Sequence, residues 1–243
     1  MGEATKRRSR LAAFFTRLVK EQPLGTIGGI IVLIFIFVAI FADALAPYGF
    51  LEAHLRDRLQ GSSARYLLGT DQLGRDFLSR LIFGARLSIV VGLAATTINV
   101  VVAVLIGGIS GFIGGKLDLA VQRFVDAWMC LPGLLILLTI MSIVGRGLPQ
   151  IIVVLGIAGG IGGSRVVRSA VIGIKENDYF LAAKAMGTPT PQILVRHVLP
   201  NIMPVVIIVF SINLGGVIIS EASLSFLGFG LPPTIPSWGG LLS

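Results

Sequence analysis

The sequence predicts an all-α protein, a polytopic bundle of transmembrane helices. Of its 243 residues, 54% are hydrophobic and only 13% are charged, whereas a soluble domain carries about a quarter charged residues. A surface that faces water everywhere cannot be built from this composition, so we expect most helices to lie in lipid. The net charge of +8 does not indicate a nucleic-acid partner, because the basic residues flank apolar runs instead of forming one patch.

Long uncharged runs predict five spans, because about 20 apolar residues cross a bilayer as a helix. A further uncharged stretch, 222–243, contains three prolines, which remove backbone hydrogen bonds that hydrocarbon cannot replace. We predict that this stretch is an interfacial loop. The five predicted spans lie at residues 22–42, within 87–115, and at 127–145, 147–164 and 198–220.

The distribution of lysine and arginine predicts a cytoplasmic N-terminus. Residues 1–22 are expected to form an amphipathic segment on an anionic leaflet, with a frayed basic tail as the alternative. The first transmembrane helix then occupies 23–45, an extracytoplasmic loop 46–86 and the membrane core 87–243. A cleaved signal peptide is disfavoured, because the first apolar run exceeds the roughly 7–15 residues of a signal core.

Motifs for catalysis, metal binding or phosphate binding are not found in the sequence. His54 and His197 fall on opposite sides of the membrane in the predicted topology. A glycine–lysine pair at 115–116 resembles the end of a phosphate loop, but Ser110 and Leu117 stand where glycine and Ser/Thr are required. We therefore expect no catalytic site, no metal site and no cofactor bound by this chain.

Polar groups within the predicted spans are few. Asn99 and Asn213 are the mid-span polar residues, and either could face a solute path, although hydrogen bonding between helices is the commoner role. The scarcity of ionisable groups argues against an ion-coupled carrier. A passive channel and a structural scaffold are further alternatives. Glycines at 107–115 and 156–163 have the small-residue spacing of close helix contacts.

The longest predicted inner loop, about 165–200, has the pattern of two short helices. Acidic and amide residues ending at Asp178 suit the positive end of a helix, and Gly187 suits its C-terminal end. A second helix is predicted to begin after Thr190 and to end at Pro200.

The first of these short helices is predicted to present Tyr179, Ala183 and Met186 along one side. Small side chains allow the backbone of a partner to approach closely, and a short helix can bind in a groove. A simple interfacial connector is the alternative interpretation.

Two sets of residues resemble importer permeases of the ATP-binding-cassette superfamily. The inner loop has the paired alanines, glycine and Leu-Pro of these permeases, although Leu181 replaces a glutamate of the pattern. A second set narrows the resemblance to the second permease of oligopeptide, dipeptide and nickel importers. It comprises Leu-Gly-Thr-Asp at 68–71, Gly-Arg-Asp at 74–76, the segment 221–228 and Pro-Ser-Trp-Gly at 236–239.

The resemblance implies a type I ABC importer permease fold and a corresponding function. The chain would form half of the translocation pathway for peptides delivered by a solute-binding protein, with nickel, glutathione or another small solute as alternatives. The implied partners are a second permease, two ATPase subunits that hold ATP and magnesium, and a binding protein that contacts the outer loop. The implied location is the cytoplasmic (inner) membrane of a prokaryote.

The resemblance also implies roles for individual residues. The docking contacts with the ATPase would come from the first short helix and its end, and the Leu-Pro pair would set the second helix. These residues are Asp178, Ala182, Ala183, Gly187, Leu199 and Pro200. A sixth span normally follows the Pro-Ser-Trp-Gly segment in these permeases, and we expect the present chain, which ends at Ser243, to stop short of it.

Overall fold

The computed structural model describes Ala13, Arg17, residues 19–232 and residues 234–242. Within these residues the chain is helical apart from loops and one isolated bridge, between Thr70 and Asp76. The predicted all-α class is therefore confirmed. The predicted amphipathic segment at 1–22 lies almost entirely outside the described residues. The chain divides into two compact units, Met1–Arg86 and Leu87–Ser243.

The first unit contains one apolar helix and a folded loop. Helix α1, Pro23–Ile40, begins with a proline in its first turn, where the missing N–H costs nothing. Helix α2, Ala42–Leu45, follows at once. The Arg86 guanidinium donates to the carbonyl oxygen of Ala39 at 2.7 Å and pairs with Asp43 at 2.8 Å. The bond to Ala39 satisfies one of the backbone carbonyl groups that have no partner within the helix at the C-terminal end of α1.

Long and short helices make up most of the rest of the described chain, and α3 begins in the first unit and continues into the second. The elements are α3, Phe77–Ile113; α4, Gly115–Cys130; α5, Gly133–Val144; α6, Leu148–Lys175; α7, Asp178–Ala185; α8, Thr190–Ile193; a π-helical turn, Leu194–Val198; and α9, Leu199–Phe226.

Four helices of the described chain are long and apolar enough to cross a membrane, and a bent pair raises the number to five if it counts as one span. The four are Pro23–Ile40, Phe77–Ile113, Leu148–Lys175 and Thr190–Phe226. The bent pair is α4 with α5, which meet at an angle of 91°.

The predicted span at 127–145 is therefore not one straight helix. Leu131 has extended backbone angles, φ −88° and ψ 140°, as expected for a residue before proline. Pro132 then provides the start of α5. The break arises because a proline here removes a helical N–H and crowds the preceding turn.

The predicted end of the second short helix at Pro200 is wrong. The chain stays helical from Thr190 to Phe226, because the π-helical turn widens the backbone just before this proline. The N–H of Leu199 bonds to the carbonyl of Leu194, five residues earlier. This turn accommodates the ring that would otherwise clash with the preceding turn. The predicted loop from residue 222 likewise begins only at Leu227.

Glycines bring α3 and α6 into close contact, as their spacing predicts. A Cβ atom at Gly107 would overlap the carbonyl oxygen of Ser164. A Cβ at Gly156 would lie 2.6 Å from Ile98 Cβ, and one at Gly160 would lie 2.6 Å from Val102 Cβ. The two helices can pack this tightly only because these three positions have no side chain.

Candidate functional site

A cavity of about 260 Å³ lies among α3, α4, α5, α6 and α9 in the second unit. The predicted mid-span residues Asn99 and Asn213 both line it. Their side chains come from helices α3 and α9, more than a hundred residues apart in sequence. Trp128 and Ser220 supply the other polar groups, and the remaining lining is apolar. The structure thus brings the two candidate path residues to one site.

Asn99 is the more deeply placed of the two amides. Its side chain is buried, and its Oδ1 has no hydrogen-bond partner among the described residues. A Cβ at Gly159 would overlap Nδ2, and one at Gly163 would lie 3.6 Å from Oδ1. The glycines of α6 therefore leave room for this amide beside the cavity. By contrast, Asn213 donates Nδ2 to the carbonyl of Val209 at 2.9 Å within its own helix.

The bend between α4 and α5 forms one wall of the cavity. Trp128, in the last turn of α4, donates its Nε1 to the carbonyl of Ala158 on α6 at 3.2 Å. Gly133, the first residue of α5, also lines the cavity. The break that the sequence analysis missed therefore shapes the site, because a straight helix would not turn these residues toward the same space.

Charged pairs fix the end of α6 that is predicted to be cytoplasmic. Arg168 binds the carboxylate of Asp118 on α4 through two hydrogen bonds of 2.6 and 2.5 Å. Arg165 pairs with Asp126, which also lies on α4. Lys175 donates to the carbonyl of Phe112 at 2.8 Å, at the C-terminal end of α3. A two-bonded arginine–carboxylate pair is geometrically specific, so this end of α6 is tied to both neighbouring helices.

The predicted cap of α7 is made differently. Asn177 stands at the N-cap position, but no side-chain cap bond forms there. Its Nδ2 instead donates to the carbonyls of Gly173 and Ile174, both at 3.2 Å, and so satisfies the end of α6. Gly187 has the predicted C-terminal role, with φ +75°.

One side of helix α7 is buried, and it includes Ala183, which the sequence analysis placed on the side that faces a partner. Ala183 is only 3% exposed and Phe180 only 5%. The buried core beside α7 joins Phe180 to Ile193 and Val198. The expectation that Ala183 lies on an exposed side with Tyr179 and Met186 is therefore wrong for Ala183, which is buried on the same side of α7 as Phe180.

The outward side of α7 follows from the helical period. With about 100° per residue, the positions opposite Phe180 and Ala183 are Asp178, Leu181, Ala182 and Ala185, and all four are exposed. Leu181 and Ala185 were missed, although the spacing from the apolar Phe180 and Ala183 was the signal that could have found them. Leu199 and Pro200 are also exposed, at the start of α9.

A second site that the sequence analysis did not assign surrounds Glu221 on α9. This carboxylate is fully buried and accepts a hydrogen bond of 2.7 Å from Ser225. The buried hydroxyls of Ser88 and Ser237 lie beside it. A Cβ at Gly239 would overlap the carbonyl of Ala222. The carboxylate and the close backbone contact hold the segment after α9 against that helix.

The motif residues of the loop at 46–76, which is predicted to lie outside the cytoplasm, stabilise the loop itself. The Asp71 carboxylate accepts hydrogen bonds from the amides of Leu73 and Arg75 at 2.8 and 3.0 Å. It also accepts bonds from the guanidinium groups of Arg75, at 2.7 Å, and Arg80, at 3.0 Å. Asp76 caps α3 by accepting the amide of Ser79 at 2.8 Å.

The Asp71 contacts predict a pH dependence for the folded loop. Burial raises the pKa of Asp71, but the bonds from Arg75 and Leu73 lower it more, so this pKa lies below its ordinary value of 3.8. The stabilising contribution is therefore present above about pH 3.8 and is lost as the pH falls through the folded-state pKa.

We expect the hydrogen-exchange protection of residues 69–77 to fall in that acidic window. The measurement is the protection factor of peptides from the purified protein, corrected for the intrinsic pH dependence of exchange. In Asp71→Asn the protection should be lower at neutral pH and should lose this acid-dependent step. A step of equal size in both proteins would show that another group causes it.

Comparison with known proteins identifies the class. Residues 103–243 match the family described as binding-protein-dependent transport system inner membrane component. Residues 9–61 match the N-terminal transmembrane domain of oligopeptide transport permease C. The chain belongs to this family of transport permeases. As a member of this family, it is a multi-pass membrane subunit of an ABC transporter and not an enzyme. The two family matches confirm the resemblance that the sequence motifs indicated.

The individual proteins that this chain resembles are permeases of dipeptide, oligopeptide and glutathione transport systems. The chain is 36% identical over 225 residues to the dipeptide transport system permease protein DppC of Alkalihalophilus pseudofirmus, covering 93% of this chain and 74% of that one. It is 35% identical over 224 residues to the oligopeptide transport system permease protein OppC of Bacillus subtilis, with coverages of 92% and 73%. It is 33% identical over 230 residues to the glutathione transport system permease protein GsiD of Pectobacterium atrosepticum, with coverages of 94% and 76%.

Proposed function

We propose that this subunit forms half of the translocation pathway of an ATP-driven importer of di- and oligopeptides. The observation that carries the proposal is the shared cavity of Asn99 and Asn213, which joins polar groups of two spanning helices inside an otherwise apolar bundle. A second permease subunit would complete the pathway. The names of the relatives favour peptides as the solute, with glutathione, itself a peptide, as the second candidate.

The proposed energy source lies on partner chains. Two ATPase subunits would bind ATP and magnesium and would contact α7 through its outward side. Support comes from the exposed small residues Ala182 and Ala185, which leave the backbone of α7 accessible, and from the ties between the nearby end of α6 and its neighbours. These ties suit the transmission of a rigid-body movement from α7 to the spanning helices.

The proposed topology places the N-terminus and α7 in the cytoplasm and the loop at 46–76 on the other side. The basic residues Arg165, Arg168 and Lys175 at one end of α6 support this orientation. The outer loop would contact a solute-binding protein. Its exposed leucines, which are apolar surface of the kind that interfaces cover, are Leu51, Leu55, Leu59, Leu67, Leu68 and Leu73.

Reconstitution tests the proposed function. The subunit would be purified with the second permease, the two ATPases and the binding protein, and placed in proteoliposomes. We expect ATP-dependent uptake of a labelled dipeptide, no uptake with a non-hydrolysable ATP analogue, and no uptake when this subunit is left out. Uptake that persists without this subunit, or that proceeds without ATP, would contradict the proposal.

A further inference from the structure

The chemistry of the cavity indicates which part of a solute it can bind. Its polar lining consists of two amides, one hydroxyl and one indole N–H, from Asn99, Asn213, Ser220 and Trp128. None of the residues that line it in the described part of the chain is charged. A charged group that entered this space would lose water without gaining a counter-charge, which is costly. An uncharged polar group would not meet this penalty.

Asn99 narrows the choice among uncharged groups. Its carboxamide lines the cavity, and its buried Oδ1 accepts no hydrogen bond from the described residues. Oδ1 is shielded from the cavity in this conformation. A buried acceptor without a donor is unfavourable, so a ligand N–H gains affinity here once the carboxamide turns Oδ1 toward the cavity. A peptide group offers an N–H donor and a carbonyl acceptor together, and a carboxamide can pair with both.

The size of the cavity argues against enclosure of a whole small molecule, and its side chains argue against a bare transition-metal ion. About 260 Å³ is below the roughly 300–1,000 Å³ of pockets that enclose a whole small molecule. The cavity can therefore take one portion of a solute, with the rest bound elsewhere. A bare divalent transition metal prefers imidazole, thiolate or carboxylate ligands, and the lining provides none of these.

We infer that the cavity of Asn99 and Asn213 binds the uncharged peptide groups of the transported solute and leaves its charged termini to other surfaces. The inference rests on the proposed function and specifies its substrate chemistry. Recognition of the peptide group, which every peptide shares, would permit many different side chains in the solute. It would discriminate against solutes that lack an amide N–H.

The test compares two probes in the reconstituted transporter with all its partners. One probe is a labelled tripeptide, and the other is the same tripeptide with N-methylated peptide bonds, which lacks their N–H donors. We expect wild type to take up the first about tenfold faster, in line with the loss of one buried hydrogen bond. In Asn99→Ala this preference should largely disappear, through slower uptake of the unmodified probe.

Controls separate recognition from folding and from the proposed function. Thr97→Ala alters an exposed hydroxyl on the same helix, which donates to the carbonyl of Leu93 one turn earlier at 2.7 Å, and should keep the full preference. Asn213→Ala, at a less buried position, provides a second variant of the cavity and should also reduce it. Retention of the wild-type preference in both monodisperse asparagine variants would overturn the inference. A wild-type transporter without ATP-dependent uptake of either probe would instead contradict the proposed function.

Discussion

Gly107→Ala is expected to prevent normal assembly of the helices, although it adds a single methyl group. The new Cβ would overlap the carbonyl oxygen of Ser164 and lie 2.9 Å from the backbone nitrogen of Arg168. Both atoms belong to the backbone of α6, so neither can be moved by a change of rotamer. Relief requires α3 and α6 to separate along their whole contact, which also includes Gly156 and Gly160.

The expected loss of stability exceeds the roughly 1–3 kcal/mol that an ordinary small-to-large substitution in a packed core costs. The cause is that separation of α3 from α6 would also weaken the hydrogen bonds that Lys175 on α6 donates to the carbonyls of Gly111 and Phe112 on α3. The measurements are the yield of monodisperse protein after detergent extraction and its thermal unfolding temperature. We expect little monodisperse protein, and a clearly lowered unfolding temperature for what remains.

Gly108→Ala provides a matched control one residue away on the same helix. A Cβ at this position meets no atom within 4 Å, and alanine favours a helix over glycine by about 1 kcal/mol. This variant should therefore be as stable as wild type or slightly more stable. Equal behaviour of the two alanine variants would show that α3 and α6 do not pack through Gly107.

The spanning helices could be predicted because hydropathy depends on composition alone. A run of about 20 apolar residues predicts a helix in lipid whatever its neighbours are. The break at Leu131 was missed for the same reason, since Pro132 lies in an apolar run and hydropathy does not register backbone geometry. Pro200 gave the opposite error. Its ring suggested an end, but the π-helical turn before it allows the helix to continue.

The sites were only partly predictable because they depend on how helices rotate against each other. The sequence identified Asn99 and Asn213 as unusual, but only packing brings them to one cavity. For α7 the sequence indicated a partner surface, whereas the buried side is set by contacts with residues after the turn, such as Ile193. Glu221 was quoted only as part of a motif, and its serine neighbours come from three separate segments.

The second large effect is expected at α7, where Ala182→Arg should strongly reduce transport without preventing folding. Ala182 is exposed, and its side chain lies opposite the buried Phe180 and Ala183. The arginine side chain can therefore extend into solvent in the isolated subunit. In the complex, the same side chain would occupy the space that an ATPase groove needs for close approach to the helix.

Ala182 is a cleaner position for this test than Gly187, which the family resemblance also marks. Gly187 has φ +75°, so any larger residue there strains the end of α7 and confuses a backbone effect with a surface effect. Ala182 lies within the helix, where arginine is a good helix former. The substitution thus changes the surface of α7 and leaves its backbone in place.

The measurement compares ATP-dependent dipeptide uptake and ATP hydrolysis in the reconstituted transporter. For Ala182→Arg we expect uptake to fall at least about tenfold, as for a loss of roughly 1.4 kcal/mol or more at an interface. ATP hydrolysis should no longer respond to the binding protein and peptide. Ala182→Ser, which keeps the side chain small, should transport normally. Normal uptake by the arginine variant would mean that α7 does not dock through this side, because an arginine side chain at a close contact would keep the ATPase away from the helix.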